Sequence, residues 1–101
     1  MNQREISLDF LNKLNDENYK EFYKFFTKES TAYLISLDQE VSVEEALNYL
    51  KGEIVNSLEL VRVLESKMFV KLETSSSNKQ INLFFEIKSR RIRRLEIEII
   101  K

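Results

Sequence analysis

The spacing of apolar residues changes near residue 59. Before that point, apolar side chains recur every three to four positions, which is typical of helices that pack by one face. After it, apolar and polar side chains alternate, which is typical of strands with one buried and one solvated face. The sequence therefore predicts an α+β fold in which helices precede an antiparallel sheet.

Two helices are predicted before residue 27. In residues 3–14, Ile6, Phe10 and Leu14 repeat at intervals of four, with Leu11 beside them. The stretch "YKEFYKFF" then places aromatic residues on one helical face, and Asn15 or Asp16 could cap it. These aromatic residues are Tyr19, Phe22, Tyr23 and Phe26. Such a stripe could line a ligand cavity, although this pattern more often belongs to a core.

A short strand pair is predicted to separate these helices from a third one. The stretch "STAYLISL" favours a strand, "DQ" a tight turn and "EVS" a second short strand. Ser42 then precedes Glu45 by three residues, which is a capping-box signature. Gly52 lies inside the helix that follows, where it costs about 1 kcal/mol relative to Ala. The close approach of a neighbouring element would account for this glycine.

The region after residue 59 predicts four strands. Val61 and Val63 indicate the first, which ends near "ES", and "TSSSNK" is expected to form a loop between two later ones. Alternation then defines an apolar face in the last three strands. Its members are Met68, Val70, Leu72, Ile81, Leu83, Phe85, Leu95, Ile97 and Ile99.

The stretch "FFEIKSRRIRRLEIEII" holds four arginines within five residues. We interpret "SRR" as the turn of a β-hairpin, because alternating runs flank it at hairpin distance. Ile92 is out of phase with Leu95 by one residue, and a β-bulge near Arg93 would return Ile92 to the apolar side. A nucleic-acid surface is the alternative, but Glu86 and Glu96 share the polar face and would repel phosphates.

The amino-acid composition limits the catalytic and metal-binding groups that the protein can use. The chain has 101 residues, which predicts a single domain over residues 1–101. It contains no His, Cys or Trp and one Gly, so the usual general base, the thiol nucleophile, zinc ligands and a glycine-rich phosphate loop are lacking. We expect no cofactor and no metal. No long apolar stretch or secretory signal is visible, and a cytoplasmic protein is the natural expectation.

Charge is divided unevenly along the chain. Residues 1–59 carry 6 basic and 12 acidic side chains, a net −6, whereas residues 60–101 carry 10 basic and 5 acidic, a net +5. The sum is the overall charge of −1. This asymmetry could mark a charged partner surface, but a simple dipole in the folded molecule is the more ordinary interpretation.

The predicted order of elements resembles the nuclear transport factor 2-like superfamily, the cone-shaped fold of ketosteroid isomerase and SnoaL-like polyketide cyclases. The resemblance spans nearly the whole chain. It rests on "FLNKLNDENYKEFYKFFTKESTAYL" for the opening helices and first strand, on "SVEEALNYL" for the later helix, and on "RRIRRLEIEI" for the closing strand. It implies three N-terminal helices packed on a curved antiparallel sheet.

The resemblance also implies an apolar pocket between helices and sheet, and a homodimer formed through the sheet. Phe69, Phe84 and Ile100 would lie on the outer face and form the dimer interface. The expected pocket-lining residues are Phe10, Leu14, Phe22, Phe26, Tyr33, Leu50, Phe85 and Leu95.

The isomerase chemistry does not carry over with the fold. Phe10 falls near the position of the oxyanion-stabilising tyrosine of the isomerases and has no hydroxyl. Leu34 falls near the general-base aspartate. The only weak candidates for catalysis are Glu29, Tyr33 and Tyr49, each of which is more ordinarily structural or solvated.

Three functions follow as hypotheses. The first is a non-catalytic binding or interaction module with a small apolar pocket or a protein-partner surface, of which an immunity protein would be one example. The second is an isomerase, dehydratase or cyclase that acts on a small apolar molecule. The third, nucleic-acid binding through Arg90, Arg91, Arg93 and Arg94, is disfavoured by the glutamates beside them.

Overall fold

The structure is a computed structural model, and it describes residues 2–15, 24–53, 58–76 and 79–100. Two α-helices and six strands occur in this part of the chain. In chain order they are α1 (Gln3–Asn15), β1 (Phe26–Leu34), β2 (Gln39–Val41), α2 (Val43–Glu53), β3 (Glu59–Glu65), β4 (Val70–Ser76), β5 (Lys79–Lys88) and β6 (Arg91–Ile100). A single 3-10 turn over Ile35–Leu37 joins β1 to β2.

The six strands form one sheet in the order β2-β1-β6-β5-β4-β3. Four of the five neighbouring pairs are antiparallel, as the sequence predicts, but β1 runs parallel to β6. The expectation of a wholly antiparallel sheet is therefore wrong at this pair. The parallel pairing is possible because most of the chain lies between the two strands, which leaves ample length for the crossover.

The prediction of three N-terminal helices is also wrong for the described residues. These contain α1 and α2 only, and α2 follows the β1–β2 pair. Phe26, expected on the aromatic helix, instead begins β1 and lies opposite Ile92 of β6. Sheet pairing there overrides the helical spacing, since aromatic residues also suit strands. Most of the expected aromatic helix, Phe22 included, lies outside the described residues.

The two helices begin where their caps are satisfied. The Asn2 Oδ1 accepts a hydrogen bond from the Glu5 amide at 2.8 Å, which caps α1. The Ser42 Oγ accepts one from the Glu45 amide at 3.1 Å, so the predicted cap at Ser42 is confirmed. The apolar face of α1 is buried, as expected, at Ile6, Phe10, Leu11 and Leu14.

Gly52 differs from its expected role. A Cβ built at this position would meet nothing within 4 Å, and its φ is not positive. No neighbouring element therefore requires a glycine here among the described residues, and the expected close approach is wrong.

The apolar face of the last three strands packs against α1 and α2, and we call it the inner face. The predicted members are buried except Met68, which is 78% exposed. Met68 lies in a bend before β4, where the Ser66 Oγ accepts hydrogen bonds from the amides of Met68 and Phe69, each at 3.2 Å. This turn removes Met68 from the alternation, which starts at Val70.

The stretch "TSSSNK" is mostly strand rather than loop. Thr74, Ser75 and Ser76 continue β4 and pair with Ile81, Gln80 and Lys79 of β5. The buried Thr74 hydroxyl donates to the Ile81 carbonyl at 3.0 Å, so this polar side chain is satisfied inside the sheet. The predicted loop is therefore wrong at these positions, and residues 77 and 78 lie outside the described part.

The predicted hairpin and its bulge are both confirmed. Ser89 and Arg90 form the two-residue turn between β5 and β6, with φ of 53° and 64°. Positive φ at both positions is the requirement of a type I′ turn. Glu86 pairs with Arg94 and Ile87 with Ile92, so Arg93 is the extra residue of a bulge. Ile92 is fully buried as a result.

Aromatic contacts hold α1 against the sheet. The Phe10 ring meets the rings of Phe25, Phe26 and Phe85 edge to face, with centroids 5.7, 6.0 and 5.2 Å apart. Phe10 thus links α1 to β1 and β5. Neither described helix has the length and apolar character that crossing a membrane would require.

Candidate functional site

Most of the expected pocket-lining residues meet in the core. Five of them, Phe10, Leu14, Leu50, Phe85 and Leu95, are 2% exposed or less and belong to one apolar cluster. Phe26 packs on the edge of this cluster. Tyr33 lies elsewhere, because it pairs with Glu96 on the opposite face of the sheet. Phe22 lies outside the described residues.

Tyr33 occupies the face of the sheet that points away from the helices, which we call the outer face. Its phenol donates a hydrogen bond to the Asp38 carboxylate just beyond the end of β1. The Arg94 guanidinium lies over its ring, 5.6 Å from the centroid. Tyr33 therefore supports the β1–β2 turn and the network around Arg94.

Glu29 and Tyr49 are the other two weak candidates for catalysis. The Glu29 side chain is 81% exposed, and its nearest cation is Arg93, with Oε2 and Nη2 4.0 Å apart. Burial raises the pKa of the Tyr49 phenol, the Glu53 carboxylate raises it further, and Lys79 opposes both. A phenol with a raised pKa stays protonated, so Tyr49 could donate a hydrogen bond but is a poor base.

The three candidates do not form one constellation. Glu29 lies on β1 near its start, Tyr33 on the outer face of β1, and Tyr49 on α2. Among the described residues, no hydrogen bond joins any two of them. The buried carboxylate in this part of the chain is Glu73, on the outer face. Within the described residues, no cluster of acidic side chains could hold a metal ion.

A partly open groove of about 310 Å³ lies on the outer face, and we call it the aromatic groove. The Phe69 and Phe84 rings face each other there, with centroids 6.3 Å apart. Exposed apolar surface lies at the groove, since Met68 is 78% and Phe69 42% exposed. The residues that border the groove are Met68, Phe69, Phe84, Phe85, Glu86, Arg94 and Glu96.

Two of the residues that line this groove were predicted from the sequence to lie on the outer face. Alternation placed Phe69 and Phe84 on the outer face, and the structure brings them together. Ile100 is 47% exposed but lies opposite Gln80, four residues along β5 from Phe84, so it does not join them. Met68 was missed because the strand period continued through it. The hydroxyl of Ser66, two residues earlier, is the signal that could have placed it in a turn.

Charged side chains of both signs, joined in ion pairs, lie around the aromatic groove. The Arg94 Nε meets Glu96 Oε2 at 2.9 Å, and its Nη1 meets Glu40 Oε1 at 2.7 Å. These hydrogen bonds, Glu96 first, raise the pKa of Arg94. Beyond the groove, Arg62 and Lys71 lie 2.6 and 3.1 Å from the same Glu73 oxygen. The outer face therefore combines an apolar centre with paired, mixed charges.

A second cavity of about 310 Å³ lies beside the β5–β6 turn, and we call it the cationic cleft. It opens between the first residues of β1 and the hairpin. Four cationic side chains and one carboxylate border it. The residues that line it are Thr27, Lys28, Glu29, Lys88, Ser89, Arg91 and Arg93.

Comparison with known proteins gives a likeness of fold without a likeness of sequence. No known protein family profile and no curated protein sequence matches the chain. A candidate ketosteroid isomerase from Kribbella flavida is similar in structure, with a TM-score of 0.76 at 13% identity, covering 98% of this chain and 78% of that one.

Two further solved structures agree with this likeness. A nuclear transport factor 2-like protein of unknown function from Cytophaga hutchinsonii has a TM-score of 0.76 at 16% identity, covering 99% and 91% of the two chains. A candidate SnoaL-like polyketide cyclase from Shewanella putrefaciens has a TM-score of 0.74 at 9% identity, covering 96% and 79%. The fold of this chain is therefore nuclear transport factor 2-like, with a curved six-stranded sheet and two described helices.

Proposed function

We propose that the protein is a non-catalytic interaction module that pairs with a second copy of itself through the outer face of its sheet. The aromatic groove carries this proposal. Met68 and Phe69 expose large apolar side chains next to Phe84, and such surface is costly to leave in water. Aromatic residues and Met are also enriched at protein interfaces.

The charges around the groove favour a second copy as the partner. A two-fold interface brings the same patch of both subunits together, so the patch must complement itself. Glu86 and Glu96 border the groove on one strand pair, and Arg94 lies between them on the same face. Rotation about a central axis could place cations of one copy near carboxylates of the other. A partner of one strong charge would not match such a face.

The chemistry of the inner face does not favour catalysis. Acid–base work in a pocket needs a carboxylate or similar group with a shifted pKa near a hydrogen-bond donor. The buried polar side chains that point inward in the described residues are the hydroxyls of Ser7, Thr74 and Ser76. The Ser7 and Thr74 hydroxyls donate to main-chain carbonyls. Phe10 and Leu34, which by resemblance fall near the catalytic tyrosine and aspartate of the isomerases, are apolar and buried.

The alternative is an enzyme of the isomerase, dehydratase or cyclase type. It is supported by the names of two of the similar structures, a ketosteroid isomerase candidate and a SnoaL-like cyclase candidate. In that case the pocket would lie among the inner-face residues, and Glu29, Tyr33 or Tyr49 would have to act in it. Their positions on separate surfaces do not favour this.

Native mass spectrometry of freshly purified protein tests the proposal. We expect a dimer without additional small-molecule mass. The double variant M68Q/F69Q should be monomeric, whereas L37Q should remain dimeric, because Leu37 is 52% exposed but lies on the 3-10 turn away from the groove. Circular dichroism would confirm that each variant is folded.

The other outcomes are equally informative. A dimer that survives M68Q/F69Q would place the interface elsewhere. A monomeric wild type would refute self-association, and a partner of different sequence, such as an immunity protein requires, would be sought instead. Retained mass of a small apolar molecule would support the enzyme alternative, with E29A and Y33F then tested for loss of activity.

A further inference from the structure

We infer that the cationic cleft beside the β5–β6 turn binds a small, multiply charged phosphate compound, such as a polyphosphate or a phosphate ester. The cleft is separate from the aromatic groove, and this inference is independent of the proposed self-association. Three observations on the described residues support it: two bulges of the sheet meet at the cleft, Arg94 is engaged elsewhere whereas Arg91 and Arg93 are not, and the cleft has the size of a small-molecule site.

Two bulges meet at the cleft and create it. Phe26 of β1 pairs with Ile92 of β6, and the next pair is Thr31 with Arg94. Four residues of β1 therefore lie between these pairs, but only one residue of β6. The residues between Phe26 and Thr31 therefore bow out from the sheet. On β6, Arg93 is the extra residue of the bulge against β5. Bulges re-aim side chains and are common beside binding sites.

Hydroxyl groups hold the bowed segment of β1 in place. The Ser30 Oγ donates to the Ile92 carbonyl at 2.7 Å and accepts from the Thr27 amide at 2.8 Å. The Thr27 Oγ1 accepts from the Glu29 amide at 3.2 Å. These bonds tie the segment that carries Lys28 to β6.

The arginines of "RRIRR" divide into two groups. Arg94 is engaged on the outer face by Glu40, Glu96 and Thr31. Among the described residues, Arg93 has only a long contact with the exposed Glu29, with Nη2 and Oε2 4.0 Å apart. Arg91 makes no ion pair within the described residues. The cleft thus has guanidinium groups whose hydrogen-bonding capacity is largely unused.

The balance of charge in the cleft is strongly positive. Lys28, Lys88, Arg91 and Arg93 supply four positive charges against the one negative charge of Glu29, a net +3. Grouping like charges in this way raises the free energy of the empty cleft, and a bound anion relieves it. Guanidinium groups match the oxygens of phosphate in pairs, which favours phosphate over a simple halide.

The size and lining of the cleft select a small ligand rather than a nucleic acid. A volume of about 310 Å³ lies at the lower end of the range for small-molecule sites, and it exceeds the needs of one inorganic ion. No aromatic side chain borders it among the described residues, so they offer no surface on which nucleobases could stack.

Isothermal titration calorimetry with tripolyphosphate at low salt tests the inference on the full chain. We expect one-to-one binding that the double variant R91Q/R93Q weakens by at least about tenfold, because each arginine makes charge-assisted hydrogen bonds. The matched control K67Q/R90Q removes the same charge from exposed positions outside the cleft and should change the affinity by less than about twofold. Adenosine triphosphate should bind and adenosine should not, which separates recognition of phosphate from recognition of the base.

Nuclear magnetic resonance of the wild type provides a second readout that needs no variant. Added tripolyphosphate should shift the amide signals of residues 27–30 and 88–93 and leave those of the aromatic groove unchanged. The inference is overturned if tripolyphosphate does not bind, or if both double variants weaken it equally, which would indicate diffuse attraction. It is also overturned if a short single-stranded oligonucleotide binds much more tightly than tripolyphosphate, since that would indicate a nucleic-acid surface.

Discussion

Arg94 and Glu40 are 54 positions apart in the chain, and their side chains meet on the outer face with Nη1 and Oε1 2.7 Å apart. The same guanidinium binds Thr31 at 2.9 Å. Arg94 on β6 therefore reaches across β1 to β2, which is the edge strand on that side. This one side chain links three neighbouring strands, including the parallel pair that sequence patterns did not predict.

We therefore expect R94M to lower the free energy of unfolding by about 1–2 kcal/mol, because it removes several charge-assisted hydrogen bonds from a side chain that is only 27% exposed. The neighbouring R93M is the matched control and should change stability by less than about 0.5 kcal/mol. Urea denaturation of both variants measures the difference. Equal effects would mean that the Arg94 network contributes nothing beyond an ordinary surface charge.

Substitutions in the β5–β6 turn should raise the stability of the protein. Ser89 and Arg90 both have positive φ, which costs an L-residue other than glycine free energy. The double variant S89N/R90G supplies the pair that type I′ turns favour, and we expect it to raise the free energy of unfolding by about 1 kcal/mol. R90A removes the same charge but keeps a Cβ in the left-handed region, so it should not stabilise. A gain with R90A as large as with S89N/R90G would assign the effect to charge instead.

Gly52 offers a second stabilising change. Its place in α2 leaves open space for a methyl group, since a Cβ there would have no neighbour within 4 Å among the described residues. G52A should therefore add up to about 1 kcal/mol, because alanine loses less backbone entropy in a helix. G52S should add about half as much, following helix propensity. Thermal unfolding followed by circular dichroism would rank the three proteins, and a loss of stability in G52A would contradict the open space.

Local patterns were sufficient for much of the fold. The apolar stripe of α1, the cap at Ser42 and the bulge at Arg93 were predicted because each depends on residues close together in sequence. The start of β1 was not, since Phe26 is placed by pairing with Ile92 far along the chain. Met68 was misplaced because a turn stabilised by the Ser66 hydroxyl interrupts the strand period by a single residue.

Of the two candidate sites, one follows in part from local sequence patterns and the other depends on tertiary contacts. Alternation was enough to place Phe69 and Phe84 on one face, so two of the residues that line the aromatic groove were predicted to lie there. The cationic cleft was not predicted, because it depends on a bulge in β1 that brings Lys28 beside the hairpin. Sequence patterns treated the four arginines as one group, whereas tertiary contacts occupy Arg94 and leave Arg93 largely available.

The titration of Glu73 should make the stability of the fold depend on pH. Glu73 lies in the sheet with 8% of the residue exposed, and hydrogen bonds from Arg62, then Lys71, lower the pKa of its carboxyl group from an ordinary value of 4.5. A carboxyl group whose pKa is lower in the folded state stabilises the fold above its unfolded pKa. That contribution is lost as the pH falls below 4.5 through the lower, folded value.

We therefore expect E73Q to be less stable than the wild type at neutral pH, with a difference that shrinks as the pH falls below the ordinary carboxyl value. Urea denaturation at a series of pH values measures this difference. R62Q should remove much of the same pH dependence, because Arg62 is the main cause of the lowered pKa, and K71Q should remove less of it. A difference between E73Q and the wild type that stays constant across the acid range would show that Glu73 contributes through packing and not through its charge.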